Sequence, residues 1–162
     1  MRKKDIEELR EILYEAWSLF SAYTGKRIPV RFIVDPRDPD YNDSYTGFHP
    51  ATMEPVEIVI GLGSTRGKNP DFNAVAILAH EFGHVMRDQE MSNFFQEEKE
   101  FAADEYAVMM LYRNGMVPGI LCDVLCDIAR SHGYTIFNDN LGGHPRSVDR
   151  IKRIEKIIRN LG

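Results

Sequence analysis

The chain has 162 residues, enough for about one domain with a buried core. Apolar residues make up 43% and charged residues 28%, which is ordinary for a globular protein and argues against a disordered chain. A net charge of −5 gives no electrostatic reason to bind nucleic acid or an anionic membrane.

Met1-Arg2-Lys3-Lys4 runs into an amphipathic segment and not into an apolar one, so no secretory signal is expected. Residues 3–24 place Ile6, Leu9, Leu13, Trp17 and Phe20 at helical spacing, with Gly25 as terminator. The run 29–34 reads as a strand stopped by Asp35-Pro36. Residues 35–55 are rich in Pro, Asp, Asn and Gly and read as a loop holding a short strand at 44–48. Residues 56–60 form the clearest strand, and Gly61, Gly63, Gly67 and Pro70 mark a loop after it.

Helices follow. One is expected from about residues 69–71 through His84 to about Asp88. Ser92 is placed to cap the next, which runs to Arg113 and ends at Gly115. A third spans 117–131, with Leu121, Leu125 and Ile128 on one face. It carries Cys122 and Cys126, too close in sequence to staple distant parts of the fold and read as reduced thiols. The last is expected to begin at His144-Pro145 and carries Val148, Ile151, Ile154, Ile157 and Ile158. No stretch approaches the roughly 20 apolar residues that span a bilayer. The expected architecture is one α+β domain over 1–162, a small sheet packed on helices, in a cytoplasmic protein of undetermined oligomeric state.

The chemistry begins at Ala79-His80-Glu81-Phe82-Gly83-His84, an HExxH motif inside an apolar helix. Positions i and i+4 share a helix face, so both imidazoles can reach one metal ion, one zinc per chain. Glu81 falls beside the metal's open position, where it can take a proton from water and pass it to a leaving amine. A structural zinc site has four protein ligands as a rule and no need of such a glutamate.

A third ligand must come from elsewhere. The HExxHxxGxxH pattern is excluded, since Arg87 and Glu90 occupy its later positions. The better candidate is Glu100 in Glu97-Glu98-Lys99-Glu100-Phe101-Ala102-Ala103-Asp104. Asp104 lies four residues on, facing the same way, and can accept the second N–H of a ligating histidine. Glu97 and Glu98 read as a solvated acidic face. Gly83 opposite Ala102 and Ala103 would let two helices approach closely.

The three motifs AHEFGH, EFAAD and HPRSVDRI, in that order, resemble the HtpX-type and CAAX prenyl protease-type gluzincin metallopeptidases. Residues 45–64 resemble the segment in which that family places an edge strand before the motif helix. The resemblance implies zinc held by His80, His84 and Glu100, Glu81 as catalytic acid/base, Asp104 behind a ligand, and His144 and Arg150 near the active site. The chain lacks the family's membrane helices, so the substrates of its membrane enzymes do not carry over. The spacing also overlaps the ImmA/IrrE-like peptidases, which act on one protein partner; a catalytically silent zinc-binding relative is the remaining alternative.

His144 has three readings: a helix cap, a donor to the oxyanion formed during hydrolysis, or a fourth metal ligand. Arg150 reads either as an oxyanion donor or as a surface residue. His49 and His132 have no partner spacing, and Tyr45 and Tyr134 are further possible donors. The strand at 56–60 is expected either as a core strand or as the edge that pairs with an extended peptide or protein substrate.

Overall fold

The computed structural model describes residues 3–35, 37–38, 43–62, 70–131, 133–139 and 144–161. Helix α1, Lys3–Thr24, comes first, as its apolar spacing dictates. Leu9, Leu13 and Phe20 are buried along one face of it. Gly25 ends the helix at φ 72°, a left-handed conformation that costs glycine little, and its N–H donates to Ser21 O at 2.9 Å.

Three strands follow: β1 (Val30–Ile33), β2 (Tyr45–Phe48) and β3 (Pro55–Gly61). Their order is β1-β3-β2, with β1 parallel and β2 antiparallel to β3. This corrects the edge role considered for 56–60. Ile58, Val59 and Ile60 are all fully buried, so β3 needs cover on both faces and takes the centre. The short, half-exposed β2 takes an edge and lies against the next helix.

Four helices complete the fold: α2 (Pro70–Arg87), α3 (Gln96–Arg113), α4 (Ile120–Ser131) and α5 (Ser147–Arg159). The architecture is α+β, with the helices packed against a small sheet. Phe20 of α1 meets Phe82 of α2 edge to face, with ring centroids 5.7 Å apart. No helix among the described residues is long and apolar enough to cross a membrane. Cys122 and Cys126 are free thiols.

Three helix starts differ from expectation. Ser92 does not cap α3; the helix begins at Gln96 after a turn in which Met91 N–H donates to Asp88 O at 3.1 Å. That turn, anchored by buried Met91, reverses the chain so that α3 returns across α2. Helix α4 begins at Ile120, after a turn through Pro118 and Gly119. Helix α5 begins at Ser147, not at His144-Pro145. Its first turn is held by Asp139, which accepts Ser147 N–H at 2.8 Å and bonds the Ser147 hydroxyl as well. His144 therefore does not cap α5.

Candidate metal centre

The site forms where α2 and α3 cross. His80 and His84 project from one face of α2, and Glu100 faces them from the first turns of α3. His80 Nε2 lies 3.1 Å from His84 Nε2 and 3.0 Å from Glu100 Oε2, while His84 Nε2 lies 3.4 Å from Glu100 Oε1. These three residues are a group that can hold a metal ion.

The remaining ring nitrogens have carboxylate partners of their own. His80 Nδ1 is 2.8 Å from Asp104 Oδ1, and His84 Nδ1 is 2.8 Å from Asp88 Oδ1. A carboxylate partner puts the proton on Nδ1 and leaves the Nε2 lone pair pointing into the site. Glu100 Oε1 accepts from Gln96 at 3.1 Å, but Oε2 is buried with no hydrogen-bond partner among the described residues. A metal cation among these buried lone pairs would satisfy them. At ligand bonds of roughly 2.0–2.1 Å, tetrahedral donors lie about 3.3 Å apart, which matches the spacing here.

Behind His80 the charges continue. Arg150 donates to Asp104 through Nε at 2.7 Å and Nη2 at 2.8 Å, a paired contact buried between α3 and α5. Arg150 is thus not a surface residue, and both of these donors are turned onto Asp104. Burial alone would raise the Asp104 pKa, but the Arg150 charge and its hydrogen bonds, then His80, hold it down at about 2. Burial alone would lower the His80 pKa; the hydrogen bond and charge of Asp104, followed by Glu100, carry it up to about 9. For His84 the same opposition, with Asp88 and Glu100 as partners, carries it up to about 10. Burial opposes ionisation of Glu100 too, yet His80 and His84 pull its pKa well below the carboxylate range. The demand for positive charge comes from Glu81, Asp88, Glu100 and Asp104 crowded around two imidazoles.

Glu81 is buried one position along α2 from His80. Its Oε2 accepts a hydrogen bond from the Thr46 hydroxyl of β2 at 2.9 Å. Burial, with the Glu100 charge added, raises its pKa against the lowering effect of His80, His84 and Thr46. A cavity of about 700 Å³ opens beside these groups, between β2, α2 and α4. Leu121, Val124, Leu125 and Ile128 of α4 give it an apolar wall, and Tyr45 and Tyr134 also line it.

The structure thus brings together His80, His84, Glu100, Glu81, Asp104 and Arg150. His144 borders the same cavity, half exposed, with Nδ1 3.6 Å from Glu100 Oε1. Glu90, Glu97 and Glu98 are exposed. His49 serves a turn, its Nδ1 accepting from Ala51 and Thr52 N–H at 3.2 and 3.3 Å, and His132 lies outside the described residues. Two participants escaped the sequence reading. Asp88 continues the His80–His84 spacing by one more helical turn and was legible on that ground. Thr46 comes from a distant strand and carried no local signal.

Residues 86–158 match the family model of peptidase family M48. The matched segment carries Asp88, Glu100, Asp104, His144 and Arg150, and the HExxH motif lies immediately before it. No curated protein matches the chain significantly. The match covers α3 to α5 and follows directly on the HExxH turn of α2, so this part of the chain is similar to the M48 peptidases.

Proposed function

We propose that this protein is a zinc-dependent endopeptidase in which His80, His84 and Glu100 hold the metal and Glu81 is the general base. The observation that carries the reading is the convergence of three lone-pair donors within 3.0–3.4 Å of one another, beside a buried carboxylate and an open cavity. Zinc bound there supplies Lewis acidity, which brings the pKa of a water molecule towards neutrality and polarises a carbonyl.

The protein's own groups do the rest. Glu81, with its pKa raised by burial, takes a proton from the attacking water and delivers it to the departing amine. Asp104 and Asp88 hold the two imidazoles in the tautomer that ligates. Arg150 keeps Asp104 ionised and in place, a positioning role that takes precedence over the oxyanion role considered from sequence. His144, at the cavity edge beside Glu100, is the better placed donor to a developing oxyanion.

Strand β2 supports an extended substrate. Ile58 N–H donates to Pro29 O at 2.8 Å, so Ile58 turns its main-chain groups towards β1. Thr46 is paired opposite Ile58, and strand alternation turns its N–H and C=O away from β3, to the side of β2 that no strand among the described residues occupies. A peptide added along this edge runs past Glu81 and lays an apolar side chain against the α4 wall.

Metal analysis and peptide cleavage, before and after treatment with a chelator, test the reading. About one zinc per chain and cleavage lost with the metal and restored by zinc are expected. A zinc-loaded protein that cleaves no peptide of a diverse library would contradict it.

A further inference from the structure

We propose that Thr46 is a positioning residue that holds the Glu81 carboxylate in its working orientation and ties it to the strand edge on which substrate lies. The proposal deepens the peptidase reading and rests on it. The Thr46 hydroxyl lies 2.9 Å from Glu81 Oε2 and 3.1 Å from Glu81 O, across 35 residues of sequence. A hydroxyl has one proton to donate, and the charged carboxylate is the stronger acceptor. This bond fixes the end of a side chain whose terminal torsion is otherwise soft. When Glu81 carries the proton it has taken, the hydroxyl can turn to the carbonyl and accept from the carboxyl. It therefore stays hydrogen-bonded through both halves of the proton transfer.

The same residue turns its main-chain N–H and C=O to the side of β2 away from β3. A peptide pairing there and the base that serves it are thus located by one residue. The coupling gives a reason for a polar residue at the middle of a strand that packs on an apolar helix. A valine would pack equally well there but could not hold the carboxylate.

The test compares zinc-loaded wild type, Thr46→Val and Thr46→Ser. Valine keeps the shape and strand preference and removes the hydroxyl; serine keeps the hydroxyl. Zinc content should be equal in all three. On a peptide that the wild type cleaves, Thr46→Val should lower kcat about 10-fold, the weight of one hydrogen bond to a charged group, with KM within about two-fold. Thr46→Ser should restore most of the rate. Crystal structures should show the Glu81 carboxylate turned from its place in the valine variant only. Unchanged kcat, an equal loss in the serine variant, or an unmoved Glu81 would overturn the proposal. If the wild type cleaves no peptide, the peptidase reading fails on its own, and the position of Glu81 in the valine structure still decides whether Thr46 holds it.

Discussion

Gly83 of α2 and Ala103 of α3 meet backbone to backbone: a Cβ built on Gly83 would lie 2.3 Å from the Ala103 carbonyl oxygen and 2.7 Å from its Cα. No side-chain rotamer relieves that overlap, because both atoms belong to main chain. The close crossing carries Glu100 and Asp104 to His80. Gly83→Ala should therefore push α3 away, lower stability by about 1–3 kcal/mol and weaken zinc retention. Thermal unfolding and zinc content together check this, and an unchanged protein would show that the helices do not cross so closely.

Glu100 and Glu97 separate ligation from mere acidity. Both are on the first turn or so of α3, but Glu97 is exposed and Glu100 is buried against the histidines. Glu100→Gln should lose zinc in equilibrium dialysis, and Glu97→Gln should keep it. Equal retention in both would remove Glu100 from the ligand set.

Asp88 and Asp104 each orient one histidine, yet their substitutions should differ. Asp88→Asn should weaken zinc binding by roughly 10–100-fold with little effect on folding. Asp104→Ala should do the same and also destabilise, by roughly 3–5 kcal/mol, because it strands the buried Arg150 guanidinium. Zinc titration with denaturant unfolding resolves the two. Equal stability losses would mean that the Arg150–Asp104 contact is not buried as described.

Helix α4 offers a check away from the metal. Burial, then Glu155 and Asp123, push the Cys122 thiol up to about 12. The raised value leaves it almost wholly protonated at pH 8, with roughly a thousandth of the thiolate of an ordinary cysteine. Iodoacetamide should label Cys122 at pH 8 far more slowly in the native protein than in the unfolded chain. Similar rates would contradict the packing of α4.

Much of this site is local and so was legible in the chain. The i,i+4 spacing of His80 and His84, and of Glu100 and Asp104, puts each pair on one helix face whatever the rest of the protein does. Asp88 obeys the same rule, four residues beyond His84 on the same helix face. The missing parts depend on distant partners. Which strand lies at the edge was decided by burial of Ile58, Val59 and Ile60 on both faces, a tertiary fact. The start of α5 was decided by Asp139 capping Ser147 from a preceding loop, which no N-cap rule about the flanking residue could reveal. Arg150 read as an oxyanion donor or a surface residue, because its partner Asp104 lies 46 residues away in sequence.

The central claim is that Glu81 moves the proton while the metal is held by other residues, and Glu81→Gln tests it most directly. Glutamine keeps the size and reach of the side chain, including an oxygen for Thr46, but cannot take a proton at neutral pH. The variant should hold as much zinc as the wild type, because His80, His84 and Glu100 are untouched. Its kcat on a peptide that the wild type cleaves should fall by about 10²–10⁴-fold, the usual weight of a general acid–base group. Peptide binding should persist, since the β2 edge and the α4 wall are intact. Turnover within a few-fold of the wild type, at full zinc occupancy, would contradict the account.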